Sequence, residues 1–357
     1  LRIIYSPLHG VGCSAVLPVL KADSFDDVEV FGPHAAADGD FPNVPGHVAN
    51  PENPAIFEAM IVRGREINAD LIMASDPDCD RLGCAAPRQT PGGAWETFTG
   101  NQIGALLAEY ILESRERAGT LSPDHYVVKT LVTTELVRRI ADGYGVRTYG
   151  NLQVGFKWIA KTMDDVGPAK FIFACEESHG YIIGDHVRDK DAAGAAMVLA
   201  ELAAHLKSKG QTLHTKLDSL FWQFGYHAER QISLTMPGSQ GMRNMQALMA
   251  RMRSSPPTSL AGVPVTRIRD YQSLTASAPG GAAAPFDGPK GDMVIFDLEP
   301  EGNFAAVRPS GTEPKVKLYL FAYEPPELIA DLDDTKKEVG QLLARLESAL
   351  AELATAK

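Results

Sequence analysis

The chain has 357 residues, 45% of them apolar and 22% charged, which is material for two or three cores, since single domains cluster near ~100–150 residues. A net charge of -11 gives no broad cationic field for nucleic acid or anionic lipid, although a local cluster of donors can still hold a small anion. Four cysteines, Cys13, Cys79, Cys84 and Cys175, form no CxxC pair, which excludes a disulfide framework and predicts a reducing, cytoplasmic setting. No apolar run approaches the roughly 20 residues of a bilayer span.

In chain order, the sequence opens at Leu1 directly in a strand, "LRIIYS", with no Met or polar leader, as the interior of a longer chain would. "DVEVF", "ADLIMAS" and "RLGCAA" also read as strands, and "AIFEAMIVRGREI" reads as an amphipathic helix. This α/β unit is expected to fill residues 1–98. A second α/β unit, residues 99–215, opens on the helix "GNQIGALLAEYILESRERAG". It continues through the strand "HYVVKTL", the helix "TTELVRRIADGYG" and the strand "KFIFAC", and closes on an alanine-rich helix that Gly210 would cap. Residues 216–357 change texture. The strands "YHAERQISL", "MVIFDLE", "FAAVR" and "KVKLYLFAY", with helices around "GMRNMQALMARM" and from about Pro326, predict an α+β domain. Within it, "SLTASAPGGAAAPFDGPKGD" is expected to be a flexible surface loop.

Four stretches carry chemistry. In "SDPDCDRLG", Asp76, Asp78 and Asp80 alternate at a strand end before Arg81, a set of hard oxygen ligands suited to Mg²⁺ when phosphate and water complete its shell. An EF-hand is excluded, because its sixth and twelfth positions would be Arg81 and Pro87. An aspartyl-phosphate nucleophile of the haloacid dehalogenase type and a plain solvated turn stay open at this point. In "AVRPSGTEPKVKLY", Arg308, Ser310, Gly311 and Thr312 can form an anion cradle, or an ordinary hairpin loop. "CEESHGY", followed by "RDKD", brings Glu176, Ser178 and His179 to a loop after a strand, groups that suit a polyol; a surface histidine and helix-capping charges are the bland alternative. "NLQVGFKWIAK", with Gly155 and Lys157, reads equally as a turn beside a solvated lysine.

The order and company of these stretches are decisive. With "YSPLHGVG", "SDPDCDRLG", "CEESHGY", "RDKD" and "RPSGTEPKVKLY" in sequence, the chain resembles the phosphohexomutases, the phosphoglucomutase and phosphomannomutase family, over essentially all its length. The resemblance implies two α/β domains with mixed sheets followed by an α+β domain, equivalent to that family's domains two, three and four. It implies Mg²⁺ on Asp76, Asp78 and Asp80, with Arg81 near the transferring phosphate and Lys129 and Lys190 facing substrate. Sugar hydroxyls would meet Glu176 and Ser178, with His179 beside them as a substrate-binding residue, a third-domain sugar loop would include Gly155 and Lys157, and the non-transferring phosphate would meet Arg308, Ser310, Gly311 and Thr312. Val154 stands where that loop commonly carries a hydroxyl. The ligands implied are hexose phosphate and hexose bisphosphate, glucose phosphate being the first choice, with phosphomannomutase and phosphopentomutase as alternatives and an inactive sugar-phosphate-binding protein as the rival outside enzymes.

One family feature is missing. Phosphohexomutases donate phosphate from a phosphoserine in a Ser-His-Asn-Pro loop of a first domain, and no such loop occurs here. "TASAP" imitates its start, but Ala278 and Pro279 replace His and Asn, so Ser277 reads as a chance match. The expectation is a chain that binds Mg²⁺ and sugar phosphate without turning over alone.

Overall fold

The computed structural model describes residues 1–89, 92–310 and 315–355. The chain divides into two compact units, Leu1–Leu220 and Phe221–Lys357. None of the described helices is long and apolar enough to cross a membrane.

The first unit carries two mixed sheets. Strand β1 (Ile3–Ser6) is buried along its whole length, as a near-continuous apolar run in a parallel sheet should be. It is followed by helix α1 (Val16–Ala22), β2 (Val28–Val30), α2 (Phe57–Ile67), β3 (Leu71–Ser75), β4 (Leu82–Pro87) and β5 (Trp95–Thr97). Helix α1 has no counterpart in the sequence reading, since Pro18 argues against a helix; it sits in the first turn, where the missing N–H costs nothing. The sheet order is β2-β1-β3-β4-β5. β1 runs parallel to β2 and β3, and the direction reverses between β3 and β4. Ile4, Phe57, Met60 and Ile72 are among the residues that build its core.

The second sheet follows α3 (Gly100–Arg117), whose first turn is closed by a capping box: Gln102 N–H donates to the Thr99 hydroxyl and the Gln102 side chain accepts from Thr99 N–H. Then come β6 (Tyr126–Lys129), α4 (Leu136–Gly143), β7 (Arg147–Tyr149), α5 (Phe156–Val166), β8 (Phe171–Cys175), β9 (Tyr181–Ile183), α6 (Ala192–Ser208) and α7 (Leu213–Phe224). The order is β7-β6-β8-β9, parallel except for the final β8–β9 hairpin. "GFKWIAK" opens helix α5, which buries Phe156, Ile159 and Met163 against Tyr126, Val128 and Ala174. Gly210, at φ 69°, ends α6 as expected. Both sheets thus share one device: a parallel strand turns back as an antiparallel hairpin, at residues 76–81 in one and 176–180 in the other.

The second unit is an antiparallel sheet covered by helices. Its strands are β10 (Tyr226–Thr235), β11 (Ser259–Leu260), β12 (Val263–Asp270), β13 (Thr275–Ser277), β14 (Ala284–Pro285), β15 (Val294–Leu298), β16 (Asn303–Pro309) and β17 (Lys315–Glu324). They are joined in the order β10-β17-β16-β15-β12-β13-β14, with β11 on β12. Val316, Leu318, Leu320 and Ala322 alternate along β17 and pack with Leu248 and Met252 of α8 (Gly238–Ser254) and Leu343, Leu346 and Leu350 of α9 (Leu332–Thr355). The supposed flexible loop is partly strand. Thr275–Ser277 pairs with β12 and β14, and Phe286 meets Tyr271 edge to face at 5.1 Å. Backbone pairing at a sheet edge needs no apolar alternation, so composition hid it.

Candidate functional site

The aspartate loop is shaped by Asp76. Its Oδ1 accepts the backbone N–H groups of Asp80 (3.0 Å) and Arg81 (2.9 Å), which curls the loop over its own first carboxylate. One carboxylate oxygen each from Asp76, Asp78 and Asp80 then lies within 4.8 Å of the others. Asp76 is buried, Asp80 half-buried and Asp78 exposed. Burial, and then the neighbouring Asp80 and Asp78 carboxylates, push the Asp76 carboxyl up to about 7 against the Arg81 backbone hydrogen bond. Asp80 Oδ1 is buried without a hydrogen-bond partner. Three carboxyl groups held this close, one with an unsatisfied oxygen, fit a hard divalent cation such as Mg²⁺.

Beneath and beside the loop the support is local. The Tyr5 hydroxyl meets Ser75 Oγ at 2.7 Å inside the core. Val11 N–H, from the "YSPLHGVG" turn, donates to Pro77 O at 2.8 Å. Arg81 Nη1 donates to Glu52 Oε1 at 2.9 Å. Sequence reading missed Glu52, because "NPENP" shows only turn formers and has no periodicity to mark the acid as special.

The glutamate loop docks directly on the aspartate loop. Leu82 N–H donates to His179 O (3.0 Å), His179 Nδ1 donates to Leu82 O (3.2 Å), and Arg81 forms an isolated antiparallel bridge with Gly180. His179 is only 4% exposed, and its ring takes part in this stitch through Nδ1. Burial holds its imidazole below the ordinary histidine value. Glu176 is buried and accepts the Gly155 N–H on Oε1 at 2.8 Å. Burial raises its carboxyl against the lowering influence of that bond and of Lys190 and Arg81. Gly155, at φ 123°, sits at the N-terminus of α5, a backbone shape that suits glycine. The fourth stretch is therefore joined to the third. Ser178 is half-buried, and Lys157 is exposed with its ammonium 5.4 Å from the Trp158 ring.

Lys190 links the two loops again. Its Nζ lies 2.9 Å from Asp80 Oδ2 and 2.9 Å from Asp189 Oδ1, and 5.2 Å from the Phe156 ring. Burial alone would lower the ammonium, but the two carboxylates raise it. Lys129 does not share this placement. It is fully enclosed and donates to Thr130 O (3.1 Å), Thr133 O (2.9 Å) and Glu135 Oε1 (2.7 Å), which uses all three of its hydrogens. A lysine so engaged orders the turn after β6.

In the second unit, Arg308 is half-buried near the end of β16 and pairs in register with Lys317, while Ser310 N–H donates to Lys315 O at 2.8 Å. Gly311 and Thr312 lie outside the described residues.

Residues 1–91 match Phosphoglucomutase/phosphomannomutase, alpha/beta/alpha domain II, and residues 99–224 match alpha/beta/alpha domain III of the same family. The phosphoglucomutase of Staphylococcus haemolyticus is 36% identical over 322 residues, which are 90% of this chain and 57% of that protein. The chain therefore spans less than two thirds of that relative. Among solved structures, the parafusin phosphoglucomutase of Paramecium superposes with a TM-score of 0.65 at 17% identity, covering 100% of this chain and 59% of that one. The N-acetylphosphoglucosamine mutase of Aspergillus fumigatus, in complex with GlcNAc-6P and magnesium, gives 0.50 at 12% identity over 99% and 62%. The two matched segments run through more than half of the 357 residues and carry both hairpin loops; the chain belongs to the phosphoglucomutase/phosphomannomutase family.

Proposed function

We propose that this chain supplies the metal, sugar and phosphate sites of a phosphohexomutase, an isomerase that moves a phosphoryl group between C1 and C6 of a hexose phosphate, with glucose phosphate as first substrate. The observation that carries this reading is the stitch between the loops: the Arg81–Gly180 bridge and the paired Leu82 and His179 bonds set an acidic triad against Glu176 and Ser178. Mg²⁺ on Asp76, Asp78 and Asp80 would offset charge on the transferring group, the main demand of phosphoryl transfer besides positioning. The chain's own groups orient the sugar. Glu176, fixed by Gly155 N–H, and Ser178 would take hydroxyls, and Lys190 would add a cation at the edge of the triad. Arg308, Ser310, Gly311 and Thr312 would hold the second phosphate, in a third domain at residues 216–357 after domains at 1–98 and 99–215. The Aspergillus fumigatus mutase, with its GlcNAc-6P and magnesium, supports the ligand classes. Action in the cytoplasm belongs to the same reading.

The 357 residues contain no Ser-His-Asn-Pro donor loop, so the reading includes binding without turnover by these residues alone. Calorimetry should detect Mg²⁺ and glucose 1-phosphate binding to the purified chain. Asp78→Asn should weaken Mg²⁺ by about tenfold or more. Steady conversion of glucose 1-phosphate that survives Ser277→Ala would overturn the non-turnover claim, and tighter binding of mannose or pentose phosphate would move the substrate to the corresponding mutase.

A further inference from the structure

Arg81 poses an electrostatic problem for the site just described. A guanidinium next to three carboxylates would be expected to close a two-pronged hydrogen-bonded fork on one of them, because planar Arg–carboxylate pairs are among the strongest side-chain contacts. Such a fork would consume oxygens that a cation needs. In the structure it does not form. Arg81 Nε stands 3.7 Å from Asp76 Oδ2 and 3.7 Å from Asp80 Oδ1, beyond hydrogen-bond length, and is buried without a hydrogen-bond partner.

Instead, Arg81 Nη1 donates to Glu52 Oε1 at 2.9 Å. Glu52 is itself braced. Its backbone N–H donates to Asn50 Oδ1 (3.0 Å), and the following Asn53 accepts the Ala55 N–H (3.1 Å) to cap the turn leading into α2. A long side chain on an unbraced loop could follow Arg81 inward, whereas one on a capped turn acts as a fixed anchor.

We propose that Glu52 is a positioning residue that keeps Arg81 from hydrogen-bonding the aspartate triad, leaving Asp76 Oδ2 and Asp80 Oδ1 available to a divalent cation while Asp80 Oδ2 stays paired with Lys190. This rests on the metal reading of the triad. Without Glu52 the guanidinium folds onto Asp76 or Asp80 and competes with the metal.

The test is Mn²⁺ affinity of the full chain, read by calorimetry and by the electron paramagnetic resonance of free Mn²⁺, with circular dichroism melts to verify folding. Glu52→Ala should weaken Mn²⁺ by about tenfold, the scale of outer-shell effects on metal sites. Glu52→Gln keeps an acceptor for Nη1 and should recover most of the loss. The double variant Glu52→Ala with Arg81→Ala should bind Mn²⁺ within about twofold of Arg81→Ala alone, because the competitor is gone. A merely structural role for Glu52 predicts that the double variant stays as weak as Glu52→Ala, and that result overturns the inference, as does unchanged affinity in Glu52→Ala. If the unsubstituted chain takes up no Mn²⁺, the metal reading falls and the inference with it; if it binds and only the Glu52 variants fail to respond as stated, the inference falls alone.

Discussion

Lys129 and Glu135 form an ion pair that sequence spacing could not reveal. The lysine, at the end of a predicted strand in "VVKTL", lies enclosed against Glu135 and two backbone carbonyls. Burial would raise the Glu135 carboxyl, yet the charges of Lys129 and Arg138 hold it down at about 2. Since this is below the ~4.3 of an unfolded glutamate, the pair's contribution is fully present above that pH and is lost as pH falls towards 2. Glu135→Gln should strand a buried ammonium and destabilise the first unit by about 2 kcal/mol, less than the ~3–5 of a fully enclosed pair because Glu135 keeps contact with solvent. Denaturant melts should show that gap at pH 6 and its narrowing below pH 4; a gap that does not depend on pH would refute the ion-pair account.

At the scale of elements, legibility followed hydrophobic pattern rather than length: the three-residue β2 lies in a stretch read as a strand, whereas α5, α7 and β12 were not read. Helix α3, strand β8 and strand β17 carry strong hydrophobic patterns. Strands β7 and β9 have three residues each, and α1 contains a proline, so local signal could not outweigh tertiary context. One of these, β9, is the strand into which the glutamate loop leads. Helix α3 begins against the glutamate loop, where a Cβ on Gly100 would stand 2.1 Å from Glu177 O and 2.7 Å from His179 N. Both atoms are backbone, so one side must move. Gly100→Ala should therefore cost ~1–3 kcal/mol as overpacking and weaken glucose 6-phosphate binding by calorimetry, while the aspartate triad keeps its Mn²⁺. Equal loss of both ligands would argue instead for general unfolding of the unit.

Over the whole molecule, the structure describes two compact units, with α7 running to Phe224 and the first unit ending at Leu220. Both hairpin loops and their cores belong to the first unit. A fragment of residues 1–224 should therefore melt in one cooperative transition and keep Mn²⁺ affinity within about threefold of the full chain, as an independently packed unit does. A fragment that shows no cooperative melt would sink that claim. By itself the sequence determined the alternation of strands and helices, the aspartate triad and the Glu-Glu-Ser loop, because periodicity and ligand spacing are local properties of the chain. Tertiary structure decided which of these residues meet. It turned His179 inward as a stitch, enclosed Lys129, anchored Arg81 on Glu52 and joined Gly155 to Glu176, because each contact spans residues that only the pairing of strands and the docking of loops bring within hydrogen-bond length.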